Sequence, residues 1–378
     1  MKNQSTITPT TKSSIEWTQT NEYLMGQTNN FKFGTKLAMF DLDSTLIIPK
    51  IGNNKGFPIN SDDWKFLFPN VKQTLKTYEN DGYSIIIISN QGGISLGKQT
   101  VESWSNKINQ IQNELQIDLY VFCSINHNKY RKPYPTWFNE FIPSNIHQTI
   151  NRKVSFYCGD ACGRPGDFSN TDYKFALNCM VKFVTPELFF IGKFENIPKI
   201  VYPDIFNIQN NSTDSAITVL NNFVPNKKEM ILMIGYQGSG KSYVANVLKE
   251  KYNYTVINQD TLKSKSKCLK NIKISMSNSE SIVIDQTNPD KDKRNEFITI
   301  AKINGYTVRA ILMTTSLELS QHNNYFRHIT TGTKIVPKIA YNIYGSKFEE
   351  PELNEGYSNI IKIHPSKPKD YNYYFYLY

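Results

Sequence analysis

The chain has 378 residues, more than one hydrophobic core usually fills, so two domains of ordinary size are expected. Its composition, 39% hydrophobic and 13% aromatic, is that of a globular protein, and no window approaches the roughly 18 consecutive apolar residues of a membrane span. Forty-three basic against 33 acidic residues give a net charge of +10, which favours a polyanionic partner, and without a long apolar run no membrane partner is expected.

In chain order, residues 1–35 come first: they are polar, lack the apolar run of a secretory signal, and are expected to form a partly ordered lead-in. Lys36 to Phe40 reads as a short buried strand that delivers Asp41 and Asp43 at its end, with Ser44 and Thr45 following. Tyr83 to Ile88 is an apolar, β-branched run ending in Ser89-Asn90-Gln91-Gly92-Gly93, a second buried strand that offers a hydroxyl. Tyr130-Arg131-Lys132-Pro133 supplies a cation, and Val154 to Cys158 is a further strand running into Gly159-Asp160.

An Asp-x-Asp-x-Thr segment after a hydrophobic strand resembles the signature of the haloacid dehalogenase-like phosphatases, and the other elements follow in that family's order. The resemblance implies that Asp41 attacks phosphorus to form an aspartyl-phosphate, with Asp43 as general acid and then base. It implies that Ser89 holds a phosphoryl oxygen, that Lys132 neutralises the phosphate, and that Asp41, the carbonyl of Asp43 and Asp160 share Mg²⁺, a hard ion suited to oxygen ligands. Arg164, Asp167 and Asp172 either support this site or form surface ion pairs. Asp43 to Ser89 spans 46 residues and Ser89 to Lys132 spans 43, each largely consumed by the helix and strand of a doubly wound sheet. No large cap fits in either gap, so an open site is expected, and an open site suits a polymer end.

In the second half, Met230 to Ile234 is a compact strand, followed by Gly235-Tyr236-Gln237-Gly238-Ser239-Gly240-Lys241-Ser242 and a helical stretch from Tyr243 to Lys251. This is a phosphate-binding loop in its required strand-loop-helix setting: backbone N–H groups cradle the phosphates of ATP, Lys241 reaches the β- and γ-phosphates, and Ser242 ligates Mg²⁺. The strand Tyr254 to Ile257 runs into Asn258-Gln259-Asp260, where Asp260 either takes a proton from an attacking hydroxyl or caps a helix beginning near Thr261. Asp285, after the strand Ser281 to Ile284, resembles a Walker B acid that positions Mg²⁺. Arg327, beyond a strand at Val308 to Met313, is a candidate lid arginine. Lys263, Lys265, Lys267, Lys270 and Lys273, with Thr287 and Arg294, are candidates for binding an acceptor strand's backbone, unless the lysines are a solvated face.

Taken together, the chain resembles the bifunctional polynucleotide kinase 3′-phosphatases of the animal-type order. The strings that carry the likeness include Phe40-Asp-Leu-Asp-Ser-Thr-Leu46, Tyr130-Arg-Lys-Pro133, Gly159-Asp-Ala-Cys-Gly-Arg-Pro165, Ile284-Asp-Gln-Thr-Asn-Pro-Asp290 and His322-Asn-Asn324. The expected organisation is α/β, with two doubly wound parallel-sheet domains: a lead-in at 1–35, a phosphatase at 36–205, a linker at 206–228 and a kinase at 229–378. The resemblance implies removal of DNA 3′-phosphates and ATP-dependent phosphorylation of 5′-hydroxyls, leaving ends for a DNA ligase. RNA end healing uses the same chemistry, but its phage-type relatives place the kinase first. The family's N-terminal phosphopeptide-binding domain is not expected here. Gln259 and Tyr325 stand where arginines are expected, so a DNA-end-binding phosphatase with a weakened kinase is the other alternative. Five cysteines without a Cys-x-x-Cys spacing argue against disulfides and a structural zinc and point to a reducing compartment, nuclear or cytoplasmic.

Overall fold

The computed structural model describes residues 5–6, 15–50, 58, 60–145, 149–200 and 216–364. The chain divides into two compact units on either side of residues 201 and 202.

In the first unit an eight-stranded sheet has the order β1-β2-β3-β8-β7-β4-β9-β10. These are β1 (Ser5–Thr6), β2 (Ile15–Gln19), β3 (Tyr23–Thr28), β4 (Lys36–Phe40), β7 (Tyr83–Asn90), β8 (Leu119–Ser124), β9 (Phe156–Cys158) and β10 (Lys182–Val184). A separate antiparallel pair, β5 (Ile47–Ile48) and β6 (Lys65–Phe66), follows the first acidic motif. From β8 to β10 all neighbours are parallel, as expected. Side chains alternate across a strand, and here both faces are apolar. Ala38, Phe40, Ile85 and Ile87 pack on one face with Trp104, Ile108 and Ile111 of the helix Val101–Leu115. Leu37, Met39, Ile86 and Ile88 pack on the other with Trp137 and Phe175. Helices on both faces make the sheet doubly wound. The two gaps around Ser89 are filled by β5, β6, the helix Val71–Asn80 and β7, then by the helices Gly92–Ser95 and Val101–Leu115 and by β8; no cap domain occurs among the described residues.

One expectation needs correction. The lead-in is part of this sheet: β3 pairs antiparallel with β8 from Tyr23↔Ser124 to Gln27↔Tyr120, and β2 pairs with β3. Ile15, Trp17 and Leu24 are core residues. The strands were hidden because each buries only alternate residues, so half of each reads as polar.

The second unit is a five-stranded, fully parallel sheet in the order β12-β13-β11-β14-β15. Its strands are β11 (Glu229–Ile234), β12 (Thr255–Asn258), β13 (Ile282–Asp285), β14 (Thr307–Met313) and β15 (Asn359–Ile363). Met230, Leu232 and Ile234 face one apolar cluster, and Ile231 and Met233 face the other. The expected linker also contributes to the fold: Ala216, Leu220 and Phe223, in and just after the helix Ala216–Asn221, belong to this second cluster. The aromatic segment 371–378 lies outside the described residues. No helix among the described residues is long and apolar enough to cross a membrane, and the five cysteines are buried and unpaired.

Candidate active sites

Asp41 follows β4 directly, and its backbone N–H donates to the Cys158 carbonyl at 2.9 Å, which ties it to the end of β9. Parallel pairing of β4 with β7 and β9 brings Asp41, Ser89 and Asp160 to the same carboxyl edge of the sheet, where open α/β sheets place ligands. Lys132 enters from the loop after β8. Its ammonium is 3% exposed and spends its three protons on Asp41 Oδ1 at 2.6 Å, Asp172 Oδ1 at 2.8 Å and the Tyr157 hydroxyl at 2.7 Å. Tyr157 in turn donates to the Ile88 carbonyl at 3.1 Å. Burial works against the ammonium, but Asp172 and Asp41 outweigh it and hold its pKa above the ordinary value, so Lys132 is a fixed cation.

Asp41, Asp160 and Asp172 present carboxylate oxygens within 4.8 Å of one another. Burial pushes Asp41 up to about 7, with Lys132 pulling it down and Asp172 and Asp43 adding to the rise. Asp160 is pushed up to about 8 by burial, then by Asp172 and Asp41. Three carboxylates around one cation leave a net negative charge in a desolvated place, and an all-oxygen set of this kind fits a hard divalent ion. Thr45 Oγ1 fixes Asp160, donating to its Oδ1 at 3.2 Å and accepting its backbone N–H at 3.1 Å. Gly159 is required by this closeness, because a Cβ there would lie 2.5 Å from Asp172 Oδ2. Asp43 is buried, and its Oδ2 accepts from the Gln91 carboxamide at 2.6 Å.

The sequence did not assign Tyr157, Thr45 or Gln91, and it left Asp172 open. Asp172 is a buried counter-ion of Lys132, 40 positions away in the chain, a pairing no local pattern announces. Arg164 and Asp167 do form ion pairs: Arg164 binds Asp167, Glu187 and Glu195, and also donates to the Asp160 carbonyl at 3.0 Å, which ties the network to the acidic cluster.

In the second unit the loop between β11 and the helix Lys241–Tyr252 borders a cavity of about 500 Å³. Gln237, Gly238, Lys241, Ser242, Asp260, Asp285, Thr287 and Arg327 all line it, and Gly235, Ser239 and Gly240 complete the loop. Gly238 has φ +78°, and a Cβ there would meet the Ser320 carbonyl oxygen at 2.4 Å. Asn323 Nδ2 donates to the Gly238 carbonyl at 2.9 Å, so the helix Leu317–Thr331 braces the loop. Lys241 donates to the carbonyls of Gly235 at 2.9 Å and Tyr236 at 2.5 Å. Burial pulls its pKa down to about 8, against Asp285 and Asp260, while Arg327 adds to the fall. Asp285 Oδ2 accepts from Ser242 Oγ at 2.7 Å and from Asn258 Nδ2 at 2.8 Å.

Asn258, not Asp260, caps the short helix Gln259–Leu262, accepting from the Thr261 N–H at 3.1 Å. Asp260 is exposed and lines the cavity, as does Gln259. Lys265 lines it too and pairs with Glu296 at 2.8 Å, whereas Lys263 and Tyr325 are not among its lining residues. Arg294 corrects the sequence reading. Its guanidinium is fully buried, forms a two-pronged pair with Glu355 at 2.8 Å and donates to the carbonyls of Asn288, Pro289 and Glu349. It fastens loops together and is not available to a nucleic-acid strand.

Residues 36–190 match the family described as Polynucleotide kinase 3 phosphatase, and residues 230–351 match an AAA domain. A "Bifunctional polynucleotide phosphatase/kinase" of Schizosaccharomyces pombe is 34% identical over 95% of this chain and 87% of that protein. The chain belongs to the bifunctional polynucleotide phosphatase/kinase family. It is thus an enzyme with a haloacid dehalogenase-like phosphatase followed by a phosphate-binding-loop kinase. Other relatives of this phosphatase/kinase include an Acanthamoeba polyphaga mimivirus protein, 36% identical over 92% of this chain and 90% of that protein. A "Polynucleotide 3'-phosphatase" of Saccharomyces cerevisiae is 31% identical over 42% of this chain and 89% of its own length.

Proposed function

We propose that this phosphatase/kinase repairs broken DNA ends, hydrolysing 3′-phosphates in its first unit and phosphorylating 5′-hydroxyls in its second, so that a ligase can join them. The observation that carries the reading is Lys132 held by Asp41, Asp172 and Tyr157 beside an acidic cluster, in a chain that also carries an intact phosphate-binding loop.

In the phosphatase, Asp41 attacks the 3′-phosphate and Asp43 protonates the departing sugar oxygen. Asp43 then takes a proton from the water that hydrolyses the aspartyl-phosphate. Ser89 donates to a phosphoryl oxygen, and Lys132 balances the charge on the phosphate. Asp41, Asp160 and the carbonyl of Asp43 would hold Mg²⁺, which supplies positive charge that keeps the carboxylates ionised and offsets that of the phosphate. Asp172 stands apart from that ligand set, because its oxygens are already committed to Lys132 and to the Ala161 N–H at 3.0 Å.

In the kinase, the loop amides and Lys241 hold the phosphates of ATP, and Ser242 and Asp285 would hold Mg²⁺. Asp260 accepts the proton of the attacking 5′-hydroxyl, and Arg327 clamps the transferring phosphate. Lys265 and Thr287, at the cavity, are the candidates for the acceptor strand, with Lys263 further out. Unpaired cysteines support action in a reducing compartment inside the cell.

A nicked duplex with 3′-phosphate and 5′-hydroxyl termini, incubated with Mg²⁺ and ATP, tests both halves. Asp41→Asn should abolish 3′-phosphate release and spare 5′ phosphorylation, and Lys241→Ala should do the reverse. Loss of both activities in either variant contradicts two independent sites, and an equal or faster reaction on RNA ends contradicts the DNA assignment.

A further inference from the structure

The first unit contains three arginines, Arg131, Arg152 and Arg164, and the protein itself occupies two of them. Arg164 is held by three acids, and Arg152 donates to the Cys179 carbonyl and lies against the Phe138 ring. Arg131 is different. Its Nη1 is buried without a hydrogen-bond partner among the described residues. Burial pulls its pKa below the ordinary value, and the groups that oppose this are the phenol of Tyr134 and the thiol of Cys123, not a carboxylate. A guanidinium stays charged in a protein, so leaving it half-desolvated and unpaired costs stability.

Its place is nevertheless fixed, by the four residues Ser89 to Gly92 at the end of β7. Asn90 accepts from the Lys132 N–H at 2.9 Å and donates to the Lys132 carbonyl at 3.1 Å. Gly92 lies against the Arg131 guanidinium, so closely that a Cβ there would be 3.2 Å from Nη1. The Arg131 backbone is pinned on both sides: its N–H donates to the Asn128 carbonyl at 3.2 Å, and its carbonyl accepts from the Tyr134 N–H at 3.0 Å. One segment therefore carries Ser89, brackets Lys132 and supports Arg131. Lys132 is spent on Asp41, Asp172 and Tyr157, whereas Arg131 seals Nη1 against the glycine and, being only half-buried, leaves Nε and Nη2 accessible.

A 3′-terminal phosphate seated at Ser89 and Lys132 has one nucleoside between it and the next negative charge of its strand, the internucleotide phosphodiester. That group bears one charge and two free oxygens, which suit a guanidinium fork. We infer that Arg131 binds this phosphodiester, so that the phosphatase selects the end of a polynucleotide over a lone 3′-nucleotide. The inference deepens, and rests on, the reading of the first unit as a DNA 3′-phosphatase.

The test measures kcat/KM for phosphate release from three substrates: the 3′-phosphorylated dinucleotide TpTp, the same dinucleotide with a neutral methylphosphonate linkage, and thymidine 3′-monophosphate. The wild-type enzyme should prefer TpTp to the neutral dinucleotide by about 10- to 10²-fold, the scale of a hydrogen bond between charged groups. Arg131→Met should lose that factor on TpTp and leave the other two substrates unchanged, which also shows that the variant is folded. Arg131→Lys keeps the charge without the fork and should recover part of the loss. The comparison of linkages in the wild-type enzyme needs no variant, so it decides the matter even if a variant fails to fold. Equal wild-type values for the charged and neutral linkages overturn the inference. So does an Arg131→Met loss as large on thymidine 3′-monophosphate as on TpTp, which would assign Arg131 to the transferred phosphate. A wild-type enzyme that releases no phosphate from TpTp refutes the 3′-phosphatase reading and the inference with it, whereas release that ignores the charge of the linkage refutes the inference alone.

Discussion

Replacing Lys132 with methionine removes the only cation that touches Asp41 and Asp172 among the described residues, and it does so where the ammonium is 3% exposed. Breaking a buried pair by deleting one partner costs about 3–5 kcal/mol, because the remaining charge is stranded. Two carboxylates are stranded here, so the upper end of that range is expected above neutral pH. The pH dependence has a definite sign. Asp41 and Asp160 bind protons more tightly in the folded state, near 7 and 8, than at the ordinary carboxylate value of 3.8. Cation-free stability therefore falls as pH rises from about 4 to about 8 and levels off beyond. Lys132 lowers the pKa of Asp41, so its loss moves that decline upward, and the gap between variant and wild type widens as pH rises through 7 to 8. All four tryptophans, at positions 17, 64, 104 and 137, lie in the phosphatase unit, so urea titration followed by tryptophan fluorescence reports on that unit alone. Measured with chelator at pH 6 and pH 8.5, the variant should lose more stability at the higher pH, and Mg²⁺ should restore more of it there. A loss that is the same at both pH values, or below about 1 kcal/mol, the scale of an exposed pair, would refute the reasoning.

Arg294→Met should destabilise the kinase unit by about 3–5 kcal/mol in pulse proteolysis yet leave the KM for the oligonucleotide unchanged in the folded fraction. Because Lys241 is lowered to about 8, ATP binding above that pH should take up protons as phosphate restores the ammonium; calorimetry in buffers of different ionisation enthalpy measures the uptake. Asn258→Ala removes one of two donors to Asp285 and should cost the kinase about 1–2 kcal/mol of transition-state stabilisation, read as kcat/KM for ATP, with phosphatase activity unchanged.

What the sequence revealed depended on how local each signal was. β4, β7, β11 and β13 are runs of apolar residues ending in chemistry-bearing side chains, so the strand and its cargo were readable together. Arg294 misled because it sits in the first turn of the helix Lys291–Ile303, in a lysine-rich stretch that looks solvated, while its partner Glu355 lies 61 residues on. Lys132 was found by its motif, but the pair of contacts that makes it a fixed cation, to Asp172 and Tyr157, needed the sheet to bring distant segments together. Asp260 was legible as an acid at a strand end, and only the Asn258 cap separated its two readings.

The pairing of β3 with β8 also bears on how the phosphatase can be produced alone. A fragment begun at residue 36, where the motifs begin, would leave β8 with a bare row of backbone donors and acceptors and strip Trp17 and Leu24 from the core. An uncovered edge strand of this kind recruits other chains. Such a fragment should accumulate as aggregates, whereas one that begins ahead of Ser5 keeps β1 to β3 and leaves β8 paired, and should stay monodisperse.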